Sequence, residues 1–216
     1  NDEAANNDYL ENIDYRFDLV DVKLHTNLFE ASQKGEEYDL RTIFDHTLVK
    51  NHPESAVTFV ENHDTQRGQA LESTVEEWFK PAAYALILLR ESGLPCIFYG
   101  DYYGISGEFA QQDFQEEIDK LLYLRLNLAY GEETDYFDDP NCIGWTRAGQ
   151  EGSQPIAVLI SNATATSKRM YFGQDWSGHE CSDYLGNCQT TVTIDEEGWG
   201  EFPVEEQSVS VWSIKN

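Results

Sequence analysis

Positive charge is what this chain has least of. Its 216 residues include 14 Lys and Arg against 40 Asp and Glu, for a formal net charge of −26. That excludes a basic face able to track a phosphate backbone, so nucleic acid is not an expected partner. It equally excludes docking on an anionic membrane. No apolar run reaches the ~20 residues of a transmembrane helix. Initiator methionine and signal peptide are both missing, and the opening Asn1-Asp2-Glu3 reads as the start of a processed or excised piece. Cysteines number only four, at spacings that match no common zinc pattern. Repeats and low-complexity linkers are absent. Aromatics, at 13%, are too frequent for a disordered acidic tail, so the acidity belongs to a folded surface suited to a neutral ligand.

The material present suffices for one domain or two small ones, and its pattern changes along the chain. Residues 3–13 read as a short polar helix and residues 17–24 alternate as a strand. Residues 28–32 return to helix, broken by Gly35. Leu40, Ile43, Phe44, Thr47 and Leu48 share one face of a further helix. It stops at His52-Pro53, because the residue before proline disfavours helical geometry. A buried strand follows from Ala56. A stronger helix is expected from Ser73 or Thr74 to about Arg90. A capping box (Ser73 with Glu76, or Thr74 with Glu77) opens it, Pro81 kinks it or lies near a local break, and Gly93 closes it. Residues 96–99 form the next buried strand and residues 112–128 the next helix. Strands and helices alternating at these lengths indicate parallel β/α units.

After Ala129-Tyr130-Gly131 helical periodicity ends. Short strands are expected at 142–147, 156–161, 169–172, 180–184, 190–194, 201–204 and 209–214, separated by turn residues such as Gly149, Gly152, Gly173 and Gly198. This is the pattern of an antiparallel sandwich. The boundary falls near Asp138-Asp139-Pro140, dividing the chain into residues 1–138 and 139–216.

The chemistry concentrates at the end of one strand. Ala56-Val57-Thr58-Phe59-Val60 is apolar and β-branched, and it closes in Glu61-Asn62-His63-Asp64. An amide, an imidazole and a carboxylate therefore share one strand tip, which in a parallel barrel is the active face. On residue types alone, the competing reading is that His63 and Asp64 hydrogen-bond each other and begin a loop.

Phe59-Val60-Glu61-Asn62-His63-Asp64 closely resembles the seventh-strand motif of the α-amylase family of glycoside hydrolases. Gly93-Leu94-Pro95-Cys96-Ile97-Phe98-Tyr99-Gly100-Asp101 resembles that family's eighth-strand motif. Between them, Leu71-Glu72-Ser73-Thr74-Val75 and Trp78-Phe79-Lys80-Pro81 resemble the secreted liquefying-type bacterial enzymes and their fungal relatives. The likeness runs through nearly all the chain. It implies the last part of a (β/α)8 barrel, strands six to eight, followed by an antiparallel β-sandwich.

What the resemblance implies for the site follows residue by residue. Asp64 corresponds to the family's third carboxylate, which grips the sugar as it distorts toward the oxocarbenium-like transition state. His63 corresponds to the neighbouring sugar-binding imidazole, and Asn62 and Gln66 join it as substrate contacts at the cleft rim, with Arg67 beside them. Glu61 occupies a slot that varies between Asp and Glu and is expected to be structural. Trp78, Tyr102, Tyr103 and Trp145 are expected to be packing aromatics. A retaining glycosidase also needs a nucleophilic carboxylate and a general acid. The family carries these at the ends of strands four and five, so both would precede Asn1. The chain alone is therefore expected to be inactive, with an N-terminal companion completing an enzyme that cuts internal α-1,4 bonds in starch. Two other readings stand beside this one. A related transglycosidase is one. The other is a non-catalytic carbohydrate-binding piece that uses Trp176, Trp199 and Trp212.

The resemblance further implies calcium in the intact enzyme, bound mainly by residues outside this chain. Some bacterial relatives hold another calcium between barrel and β domain with acids near positions 141 and 162. Here both are asparagine, so that second site is not expected and no metal ligand is assigned. Cys181 and Cys188 flank a turn-like stretch and are either a hairpin disulfide or two free thiols. The resemblance puts Cys96 at the start of strand eight and Cys142 at the same end of the barrel. A bridge between them would clamp barrel to sandwich, at about 4 kcal/mol in the chain-entropy account. Asn162-Ala163-Thr164 is the only glycosylation sequon. With the cysteines and the processed start, it favours a secreted protein.

Overall fold

The computed structural model describes residues 3–215. After helix α1 (Glu3–Asn12) come three short strands, β1 (Leu19–Val20), β2 (Ala56–Phe59) and β3 (Leu94–Cys96). They form one parallel sheet in the order β1-β2-β3. Helices α2 (Val22–Lys34), α3 (Leu48–Asn51), α4 (Lys80–Leu88), α5 (Tyr99–Tyr103) and α6 (Gln115–Asn127) complete this part. Asp21, 1% exposed, organises its start. The Asp21 carboxylate accepts from the Leu24 amide at 3.0 Å, capping α2, and from the Val49 amide at 2.7 Å, fixing α3 against it.

Tertiary contacts redraw several helix limits. The strand expected over 17–24 shortens to two residues because α2 begins at Val22. In place of a helix over 40–48 there is a single 3-10 turn, Leu40–Thr42, before α3. His46 lies between them at φ 60, which helix cannot accommodate. The capping box at Ser73 does not form. Ser73 Oγ instead lies 2.7 Å from His25 Nε2, and Thr74 Oγ1 donates to the Thr65 carbonyl at 3.3 Å. Helix α4 starts at Lys80, so Pro81 sits in the first turn, where its missing N–H goes unneeded and no kink arises.

All seven strands expected in the second half are present. They are β5 (Cys142–Arg147), β6 (Ile156–Ser161), β7 (Thr166–Tyr171), β8 (Glu180–Asp183), β9 (Thr191–Thr193), β10 (Trp199–Val204) and β11 (Ser208–Ile214). One more strand, β4 (Glu133–Tyr136), precedes them and joins their sheet ahead of residue 138. The six-stranded antiparallel sheet runs β4-β5-β6-β11-β8-β9 and is covered on one face by the β10-β7 pair. Every residue of β6 is buried, because the other face meets the helices. Ile156, Val158 and Ile160 pack with Leu86, Leu89 and Leu124, whereas Ala157 and Leu159 pack with Met170, Phe202 and Trp212. Gly144 on β5 is required by that second core: a Cβ there would come within 2.8 Å of the Met170 sulfur.

The expected disulfides are not formed; all four cysteines are free thiols. Cys96 is exposed on β3, while Cys142 is buried in the sandwich core with Ala157 and Leu159, so the two face different surroundings. Cys181 and Cys188 share that core, but the Cys188 thiol points to the Pro203 carbonyl, 3.7 Å away. Burial pushes the Cys181 thiol up to about 12 and those of Cys142 and Cys188 up to about 11, so all three stay protonated.

Candidate active site

The tip of β2 presents its polar residues on a hydrogen-bonded turn. Asn62 Oδ1 accepts from the amides of Asp64 at 2.8 Å and Thr65 at 3.1 Å. The Asn62 amide donates to Thr65 Oγ1 at 3.0 Å, and Gln66 Nε2 donates to the His63 carbonyl at 3.2 Å. Asn62 and Gln66 thus shape the loop. His63 and Asp64 are left projecting, their side chains 81% and 60% exposed. His63 Nε2 and Asp64 Oδ1 lie 3.7 Å apart, too far for a hydrogen bond, so the two do not merely satisfy each other. Both remain able to bind hydroxyl groups. Arg67 follows at the same rim, half-buried.

Beneath this loop lies a charged cluster cut off from water. Lys80, at the start of α4, is fully buried. Its ammonium donates to Glu61 Oε2 at 2.7 Å and to Asp101 Oδ1. Glu61 Oε1 accepts from the Val75 amide at 3.2 Å. Tyr84 donates to Asp101 Oδ2 at 2.6 Å, and Gln111 donates to Asp101 Oδ1 at 2.6 Å. One ammonium faces two carboxylates, so the cluster retains excess negative charge. Burial accordingly pushes Glu61 up to about 7, against the pull of Lys80. On the other side of β2, His25 Nδ1 donates to the Val60 carbonyl at 2.7 Å, and the ring stacks on Phe59. Burial holds this imidazole below its ordinary range.

Sequence reasoning singled out the exposed residues and passed over this support. Glu61 is buried in this cluster, but Lys80 and Asp101 were read only as parts of the two motifs, and Gln111 and His25 went unremarked. The available signal was Lys80 itself, a lone cation opening the otherwise apolar helix Lys-Pro-Ala-Ala-Tyr-Ala-Leu-Ile-Leu. Trp78 donates its indole N–H to the Ser32 carbonyl at 3.1 Å and packs on Phe79, and Trp145 is buried, in line with packing roles. Tyr103, in contrast, is 59% exposed. Of the sandwich tryptophans, Trp212 is core, its N–H donated to the Pro203 carbonyl at 3.1 Å, while Trp176 and Trp199 are half-buried.

Asn162 corrects a second expectation. It is 0% exposed, and its Nδ2 donates to the carbonyls of Gly35 and Tyr38, both at 2.8 Å. Both amide hydrogens are therefore engaged inside the protein, where no glycan can attach. Asn141 Nδ2 donates to Asn162 Oδ1 at 2.9 Å and to the Glu36 carbonyl at 2.8 Å. This arrangement does not fit a hard cation, because N–H groups already claim the carbonyl oxygens and neither side chain offers a charged one. No helix of the described residues is long and apolar enough to cross a membrane.

Comparison with known proteins places these features in context. A sequence-family model described as "Alpha-amylase C-terminal" matches residues 156–213. Glucan 1,4-alpha-maltohexaosidase of Bacillus sp. (strain 707) is 47% identical over 217 aligned residues, covering 100% of this chain and 42% of that protein. A cytoplasmic alpha-amylase of Escherichia coli (strain K12) is 42% identical, covering 96% of this chain and 44% of that protein. The chain thus spans less than half the length of these relatives. Among solved structures, alpha-amylase I from Eisenia fetida superposes with a TM-score of 0.65 at 16% identity, over 90% of this chain and 48% of that one.

Proposed function

The chain belongs to the α-amylase family of glycoside hydrolases, matching its C-terminal portion, and from that premise we propose that it forms part of a retaining, endo-acting α-amylase. The observation that carries this reading is the β2 tip, where Asp64 and His63 project side by side from a turn fixed by Asn62. In this reading Asp64 binds sugar hydroxyls and holds them more tightly as the ring flattens toward the transition state. His63 donates to the same sugar, with Asn62 and Gln66 setting the rim. Binding that strengthens only at the transition state raises turnover rather than ground-state affinity.

Hydrolysis with retention needs a nucleophile and an acid with carboxyl groups about 5–5.5 Å apart. The β2 tip offers one free carboxylate, since Glu61 is buried against Lys80. In this reading the missing pair comes from an N-terminal companion that supplies the rest of a (β/α)8 barrel. The residues up to the end of α6 are its last part, and β4 to β11 form the β domain, so the boundary falls ahead of β4 rather than at residue 138. The parallel sheet supports such a companion. Among the described residues its two edge strands are unpaired on their outer sides, and they carry exposed apolar residues, Val20 at 55% on β1 and Leu94 at 49% on β3. Open apolar edges of this kind ask for further strands.

Calcium belongs to the companion in this reading, and the Asn141–Asn162 pair replaces a cation between the two parts. Secretion rests on the resemblance to the liquefying enzymes alone, because the cysteines are unpaired and Asn162 is buried. Fractionating the producing cells tests it, with activity confined to the cytoplasm as the overturning result.

The test of function is to combine this chain with its N-terminal complement and assay starch. Hydrolysis that collapses in Asp64→Asn supports the reading, and full activity in that variant overturns it. Transfer products in place of short oligosaccharides would assign a transglycosidase instead.

A further inference from the structure

We propose that Lys80 is a positioning residue that ties the tips of β2 and β3 together from below and so sets the loop carrying Asn62, His63 and Asp64. The role in sugar binding rests on the reading of that loop given above; the tie itself rests on geometry. Glu61 is the residue immediately before Asn62, and Asp101 lies in α5, five residues beyond the end of β3. Among the described residues, backbone pairing between β2 and β3 ends at Phe59 and Cys96. Past that point the link from one strand tip to the other runs through the Lys80 ammonium.

The surroundings hold that ammonium in place. Gln111 and Tyr84 fix the Asp101 carboxylate, the Val75 amide fixes that of Glu61, and the Phe114 ring lies 5.6 Å from the Lys80 nitrogen. The groups around the ammonium come from the β2 tip, the segment before α4, α4 itself, α5 and the segment that ends in Phe114, the N-cap of α6. A buried charge of this kind costs heavily in desolvation and is seldom the cheapest way to fill space. Its value here is directional, because an ammonium bonded to two carboxylates fixes the distance between them, as an apolar side chain would not.

The test is hydrogen exchange at the loop amides of residues 62, 64, 65 and 66, with β6 as internal reference, in the full chain carrying Lys80→Met or Glu61→Gln with Lys80→Met. If Lys80 acts as a tie, loop exchange rises at least about tenfold in both variants while β6 is unchanged. Restored protection in the double variant would make Lys80 a charge neutraliser only and overturn the proposal, as would uniform acceleration or none. Should Lys80→Met fail to fold, Tyr84→Phe removes one hydrogen bond to Asp101 without changing charge. It should raise loop exchange about threefold, and no rise there overturns the proposal as well. In parallel, maltohexaose is titrated while the His63 ring resonances are followed, with a weakening of about tenfold expected in Lys80→Met. Ring signals that stay fixed in the unaltered chain would overturn the sugar-binding reading, and the exchange result would still decide the tie.

Discussion

Asn162 donates its side-chain amide to the carbonyl of Tyr38 across 2.8 Å, bridging 124 residues of chain. Asn162→Ala leaves the Tyr38 carbonyl without its donor and takes one of two donors from the Gly35 carbonyl, which keeps the Tyr38 amide. A loss of about 2 kcal/mol is expected, seen as a melting point lower by roughly 4–8 °C. Pairing Asn141→Asp with Asn162→Asp turns both donors into charged acceptors beside three carbonyls. That double variant should melt lower in EDTA and recover in millimolar calcium, whereas the unaltered protein should respond to neither at this position. Differential scanning fluorimetry reads both.

Asp64 is the residue whose loss should separate activity from stability. Its side chain is 60% exposed, so Asp64→Asn should leave the melting point within about 1 °C. In the completed enzyme the same substitution should cost about 10²–10³-fold in turnover, as expected for a group that acts on developing charge. Paired measurements of starch hydrolysis and thermal unfolding check this. A parallel fall in both would assign Asp64 a structural role.

Glu61 gives a pH dependence with a definite sign. Its carboxyl titrates at about 7 when folded against an ordinary value of 4.5. An acid with a raised folded pKa stabilises the fold fully below 4.5, and that contribution is lost as pH rises through 7. Glu61→Gln cannot lose it. The stability of Glu61→Gln relative to the unaltered protein should therefore improve between pH 4.5 and 7, by on the order of 3 kcal/mol. Urea unfolding at several pH values measures the difference, and parallel curves would disprove the titration.

Thiol chemistry should divide the cysteines one against three. Cys96 is exposed, whereas Cys142, Cys181 and Cys188 are buried with raised pKa values. A thiol reagent at pH 8 should modify one residue quickly and the other three only on unfolding. Fewer than four thiols in denaturant would indicate a bridge after all.

Legibility in the sequence followed the range of the interactions that decide each feature. Two sandwich strands, 142–147 and 156–161, could be read to the residue, since both open on largely apolar stretches whose burial needs no knowledge of the partner, whereas the polar β4 and the start of β7 could not. Helix limits between residues 40 and 80 could not, because His46 takes a positive φ that no periodicity announces and Ser73 is engaged by His25, 48 residues away. The Asn62-His63-Asp64 tip was legible because a strand that ends abruptly in three polar groups is a local signal. Its support was not: Lys80 meets Glu61 and Asp101 at separations of 19 and 21 residues, which no periodicity reveals. Cysteine pairing failed for the same reason, since it turns on which core each sulfur enters. The sequon at Asn162 is a three-residue pattern that carries no information about burial.

The alternation along β6 has a consequence for insertions. Successive residues answer to opposite walls: Ile156, Val158 and Ile160 to the helices, Ala157 and Leu159 to the small sheet. Adding one residue anywhere within 156–161 would exchange the two sets beyond it, turning isoleucine into a slot cut for alanine. On a strand with one wet face, half of such an error is absorbed by solvent. Here neither face is wet, so β6 has no position at which the chain can lengthen, and length variation next to it should be confined to the turn before it, which carries Gly149 and Gly152.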